Sequence, residues 1–155
     1  MARYARNTTV NEHKSRMEIE TTLQRYGASS FMYGSKDGKA LIGFEVKDRQ
    51  IKMTLKMPDR KEFEIDGRGH GRGVRVIDAA LTKAIRQRWR ALSLVVKAKL
   101  EAVDCGIATF EQEFLAYMVL PGGRTVAEEL VPKLAAFYSE GKVPRLLAGN
   151  SKGEL

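Results

Sequence analysis

The chain has a single cysteine, Cys105, and two histidines, His13 and His70, in 155 residues. One thiol can form no internal disulfide, which excludes a secreted disulfide scaffold. Neither histidine stands at metal-ligand spacing from Cys105 or from a carboxylate, so the sequence calls for no metal. It calls for no cofactor either. There is no G-x-x-x-x-G-K-[ST] phosphate loop and no G-x-G-x-x-G between a strand and a helix. G-x-S-x-G is absent, and no Ser/His/Asp order suggests a nucleophile with its base. Apolar runs stay far below the ~20 residues of a membrane span. Met1–Asn7 is basic with no apolar core behind it, unlike a secretory leader. These absences disfavour enzyme and membrane classes and lead us to expect a cytoplasmic binding protein.

What is present is a surplus of positive charge. Lys and Arg number 27 against 19 Asp and Glu, a formal net charge of +8. Such a surplus points to an anionic partner, nucleic acid before a membrane surface. A hydrophobic content of 43% and a charged content of 30% fit one soluble globular domain.

Periodicity divides that domain. Residues 1–11 are polar and basic without a repeat and read as a loose arm ahead of a domain spanning 12–147. A first helix is expected from about Glu12 or Ser15 to Tyr26. Ser15 and Glu18 make a capping box, Ile19, Leu23 and Tyr26 a buried stripe, and Gly27 the left-handed stop. Ser30–Tyr33 reads as a short strand. After an Asp37-Gly38 turn, Lys39–Val46 alternates with Ala40, Ile42, Phe44 and Val46 on one face. After Lys47-Asp48-Arg49, Gln50–Met57 alternates with Ile51, Met53, Leu55 and Met57 inward. Pro58 ends it. A three-stranded antiparallel meander with one apolar face needs a helical cover.

That cover is expected over Val76–Cys105. Ile77, Leu81, Ile85, Trp89, Leu92, Val96, Leu100 and Val103 recur at steps of three and four, and the helix would be ~45 Å long. Between strands and helix, Gly67-Arg-Gly-His-Gly-Arg-Gly73 has nothing to bury, so residues 59–75 read as a flexible cationic loop. Past Gly106, capping boxes at Thr109/Gln112 and Thr125/Glu128 open two more helices. The first carries Phe110, Phe114, Tyr117 and Met118. The last buries Val126, Leu130, Leu134 and Phe137 and ends at Gly141, with Pro132 inside it predicting a kink or early break. Residues 148–155 read as a disordered tail. The fold class is α+β: a three-stranded β-meander covered by a long helix, with an N-terminal helix and two C-terminal helices.

Charge is uneven along this plan. Arg75–Val103 is net +5 and Gly106–Glu140 is net −3, which suits subunits meeting head to tail in a homo-oligomer. Arg86, Arg90, Ser93 and Lys97 share one flank of the long helix, with Lys83 and Arg88 close by. The cations Lys83, Arg86, Arg90 and Lys97 have almost no acid at i+4 spacing, where a solvated helix usually carries Glu. With Arg68 and Arg72 just upstream, and Lys52 and Lys56 on the outer sheet face, they are the candidate contacts to a phosphate backbone. Tyr4, Tyr33 and Trp89 are candidates for base stacking, although Trp89 falls on the apolar stripe. His70 reads as a solvated loop residue and Cys105 as a small buried one. Glu62, Glu64 and Asp66 read as loop charge in preference to a divalent-ion site.

Two stretches carry a resemblance. One is Lys14-Ser-Arg-Met-Glu-Ile-Glu-Thr-Thr-Leu-Gln-Arg-Tyr-Gly27 with Phe31-Met-Tyr-Gly34. The other is Gln87-Arg-Trp-Arg-Ala-Leu-Ser-Leu-Val-Val-Lys-Ala-Lys-Leu-Glu-Ala-Val103 with Gly106-Ile-Ala-Thr-Phe-Glu-Gln-Glu-Phe-Leu-Ala116. They resemble a group of uncharacterised small proteins of bacteriophages and prophages, which implies a viral role in a bacterial-host cytoplasm. The order helix, three antiparallel strands, long helix is also similar to the core of phage single-strand annealing proteins, which hold single-stranded DNA in a basic groove of a ring or filament. The expected function is therefore DNA binding, single strands favoured, in recombination or replication. The alternative is an anti-defence interaction protein that binds a host protein or sequesters a nucleotide signal.

Overall fold

The computed structural model describes the backbone of residues 2–141 and the side chains of residues 13–141. The expected tail lies outside the described residues. The chain runs α1 (Ala2–Arg25), β1 (Ser30–Lys36), β2 (Lys39–Val46), β3 (Arg49–Lys56), α2 (Val74–Asp104), α3 (Phe110–Phe114) and α4 (Val126–Glu140). A 3-10 turn at Arg60–Phe63 precedes α2 and another at Leu115–Tyr117 follows α3.

The strands form one antiparallel sheet in the order β1-β2-β3. Ile42 sits opposite Tyr33 on one side and Met53 on the other. Both connections are two-residue turns with positive φ at each central residue: Asp37 and Gly38 at 52° and 68°, Lys47 and Asp48 at 47° and 62°. This is the turn geometry whose twist matches paired strands. The second turn is therefore one residue shorter than the sequence suggests, and Arg49 joins β3. The first turn carries β1 three residues past Tyr33.

Ala40, Ile42, Phe44, Val46, Ile51 and Met53 are buried on one face of the sheet. Two helices cover them. Ile19 and Leu23 of α1 and Trp89, Leu92, Val96 and Leu100 of α2 complete the core, with Phe110 and Phe114 closing one end. Contacts run in the same order along both helices, Arg16 against Trp89 and Tyr26 against Glu101, so α1 and α2 lie parallel. The Arg16 guanidinium carbon lies 4.7 Å from the centre of the Trp89 ring and 5.5 Å from that of Tyr33. The Tyr33 hydroxyl donates to the Arg16 carbonyl, and burial pushes that phenol above its ordinary range.

The start of α1 corrects the sequence reading. The backbone is helical from Ala2, through the stretch expected as a loose arm, so Ser15 and Glu18 are mid-helix and not a capping box. No Gly or Pro interrupts residues 2–25, and once a helix is nucleated each further residue adds a bond at little cost. The stops behave as expected: Gly27 and Gly106 adopt φ of 87° and 71°. Cys105 is exposed, not buried, because it lies past the last turn of α2, at its C-terminal cap.

Both later capping boxes form, at Thr109/Gln112 and Thr125/Glu128. α4 is not broken by Pro132. A proline there removes the donor to the carbonyl four residues back, which belongs to Glu128, and Arg124 Nη2 donates to that oxygen instead. None of the four expected inward residues of α4 is fully buried, and Leu134, Val131 and Tyr138 are exposed.

Phe114 ties these layers together, 5.8 Å from Phe44 and 4.7 Å from Phe110 between ring centres, with no exposed surface. Phe114→Ala should lower unfolding stability by about 3–5 kcal/mol, read from the midpoint and slope of a urea titration.

Candidate nucleic-acid interface

Lys83, Arg86, Arg90 and Lys97 follow one another at steps of three, four and seven on α2, which keeps them on one flank over ~21 Å. All four are exposed. None forms an ion pair with a described residue. The flank adjoins the side of the same helix that is buried through Trp89, Leu92, Val96 and Leu100, and its own cationic side chains remain exposed.

The loop feeding α2 is more organised than its composition suggests. Asp59 and Glu62 form a capping box at the 3-10 turn. Ile65 and Gly71 pair as an isolated bridge. Within that bridge the Asp66 carboxylate accepts the backbone N–H groups of His70 and Arg68 at 2.9 and 2.8 Å. Those two bonds hold its pKa below the ordinary carboxylate range. Gly69 takes φ of 84° inside the turn, a conformation that glycine adopts without strain. Arg60 pairs with Asp78 and moors the loop to the first turns of α2. Arg68 and Arg72 are left exposed on this frame with no ion pair to a described residue. Of the acids weighed above as loop charge, Glu62 and Asp66 thus act as local caps.

The structure adds Leu94 and three residues of α1 that the sequence reading did not place beside this flank. Arg86 and Arg90 form one wall of a pocket between α1 and α2 with Ser93 and Leu94, and Lys14, Ser15 and Glu18 form the other. Which face of α1 meets α2 is set by tertiary packing and leaves no local signature. Ser15 in particular was masked by its resemblance to a cap.

Other candidates separate from this flank. Lys52 and Lys56 alternate with the buried Ile51 and Met53 and so point away from the helical layer. Lys52 is moreover engaged, 3.1 Å from a Glu128 carboxylate oxygen and 3.0 Å from the Gly123 carbonyl. Tyr33 and Trp89 belong to the α1–α2–β1 packing and not to an exposed stacking platform. The side chain of Tyr4 lies outside the described residues.

Acid and base are thus distributed in a telling way. Of the acids between Gly106 and Glu140, Glu111, Glu113, Glu128 and Glu129 all pair with cations of the same chain. The backbone N–H of Thr125 and the Lys52 ammonium hold the Glu128 carboxyl below its usual range, and Lys133 and Arg124 do the same for Glu129. The acidic end is neutralised internally, whereas the α2 flank is not. Among the described residues no cluster of three or more His, Cys, Asp or Glu is placed to hold a metal ion, and no helix is long and apolar enough to cross a membrane.

The Asp66 carboxyl should titrate below about pH 3.9, the value of a free aspartate, in a carbon-detected NMR titration. Because the folded value is depressed, its contribution to loop order is present above that pH and fades as pH falls through the folded pKa. Asp66→Ala should speed amide exchange at Arg68 and His70 while leaving the α2 amides unchanged.

Comparison with family models, curated proteins and solved structures finds no match to the chain.

Proposed function

We propose that this protein binds nucleic acid through the phosphate backbone, with single-stranded DNA as its ligand, in phage recombination or replication in the cytoplasm of a bacterial host. The observation that carries this reading is the row Lys83, Arg86, Arg90 and Lys97, exposed and without ion pairs to described residues, whereas Glu111, Glu113, Glu128 and Glu129 of the C-terminal segment are paired within the chain. Unpaired cations at regular spacing are what counterion release rewards. Arg68 and Arg72 extend the row beyond the start of α2. A flexible strand follows such a flank readily, and the burial of Tyr33 and Trp89 argues for contact with backbone in preference to bases. Binding is then indifferent to sequence. Self-association in this reading uses the exposed apolar side chains of α4, since the acids nearby are already matched.

A second reading, an anti-defence interaction protein, draws support from a different feature. Glu45, Arg49, Leu115, Met118, Val119, Leu120, Val126 and Leu130 line an open, mainly apolar groove of about 900 Å³ beside α4. Grooves of this character suit an apolar segment of a protein partner.

Fluorescence anisotropy with a labelled oligonucleotide tests the first reading. Affinity should fall steeply with added salt. Arg86→Ala with Arg90→Ala should weaken binding by tenfold or more and lower the slope of log K against log salt by about 2, with circular dichroism unchanged. Salt-independent binding, or binding unaffected in the double variant, would overturn the assignment.

A further inference from the structure

The pocket between α1 and α2 has chemistry that an open cationic flank lacks. Its volume is about 350 Å³. Ser93 lines it, is only 6% exposed, and its hydroxyl has no hydrogen-bond partner among the described residues. A serine hydroxyl buried mid-helix normally bonds back to the carbonyl four residues earlier, as Thr82 does to Asp78. Ser93 does not, which leaves its hydroxyl available to a group seated in the cavity that it lines. Ser15 offers a second hydroxyl from the facing helix. Around these two, Lys14, Arg86 and Arg90 supply three positive charges and Glu18 one negative, a local surplus of +2.

We propose that this pocket seats a terminal phosphate monoester. At neutral pH such a group carries about −1.5 to −2 charges and three strong acceptor oxygens, which matches the surplus and the convergent donors. A phosphodiester inside a strand carries one charge and is flanked by a sugar on each side, so it matches the surplus less well and is more hindered on the way to Ser93. The arginine walls are suited to the phosphate oxygens by their forked N–H geometry. The monoester has two sources, the 5′-terminal phosphate of a DNA strand or a free nucleotide. The first rests on the nucleic-acid reading above and the second does not.

The test compares one oligonucleotide with a 5′-phosphate and with a 5′-hydroxyl, alongside adenosine monophosphate and inorganic phosphate. The 5′-phosphorylated strand should bind about tenfold more tightly, the effect of one or two charge-assisted hydrogen bonds. Ser93→Ala and, separately, the exposed Lys14→Ala should each shrink that ratio toward one. Inorganic phosphate should shift the amide resonances of Ser15 and Ser93 in the wild type and not in Ser93→Ala. Equal affinity for both strand ends, with no amide shifts from phosphate or the monophosphate, overturns the pocket while leaving backbone binding along α2 intact. Amide shifts from the small phosphates without binding to either strand support the pocket, assign it to a free nucleotide, and overturn the nucleic-acid reading instead.

Discussion

The indole of Trp89 lies where α1, α2 and β1 meet, under the guanidinium of Arg16 and edge-on to Tyr33. A three-stranded meander has too little area to bury its own apolar face, so it depends on helices held at one height and one rotation across it. Arg16 supplies that register. Its stem packs as part of α1 while its charge rests on two aromatic faces, a contact worth about 2 kcal/mol or more when shielded from water. Tyr33 then returns a hydrogen bond to the Arg16 backbone, joining sheet to helix. With α1 and α2 fixed side by side, the groove between them, and hence the pocket, has a defined width.

Arg16 also shows how a protein sorts its cations. The same residue type serves as mortar at position 16, as an internal counterion at positions 49, 60 and 124, and as exposed charge at 86 and 90. Nothing in the count of 27 basic residues distinguishes these roles. What distinguishes them is whether an acid of the same chain lies within reach. Internal neutralisation of the C-terminal helices turns a modest surplus into a concentrated one on the α2 flank.

This sorting explains what was legible in the sequence. Period-two alternation in β2 and β3 and the three-and-four stripe of α2 report burial directly, so the sheet, its cover and the core were readable residue by residue. Capping boxes at Thr109 and Thr125 were readable because they are local. The same local rule misled at Ser15, where a helix already under way makes a cap unnecessary, and at Pro132, where Arg124 relieves the orphaned carbonyl. The candidate site was half legible. Arg86, Arg90 and their neighbours are on one element and announce themselves by spacing. Lys14, Ser15 and Glu18 come beside them only through the docking of two helices distant in sequence, and Lys52 is lost to Glu128 for the same kind of reason.

The parallel arrangement of α1 and α2 has an electrostatic consequence. Antiparallel helices cancel their macrodipoles, but here the two add, each carrying roughly +0.5 of an elementary charge at its N-terminal end and the opposite at the other. The positive end of α2 carries Arg75 in its first turn and follows the loop that bears Arg68 and Arg72, and the negative end lies at Glu101 and Asp104. The molecule is therefore polarised along the helix axes as well as charged. Any polyanion approaching it would feel a torque before contact, turning the arginine-bearing end toward the incoming charge and giving encounter a preferred direction.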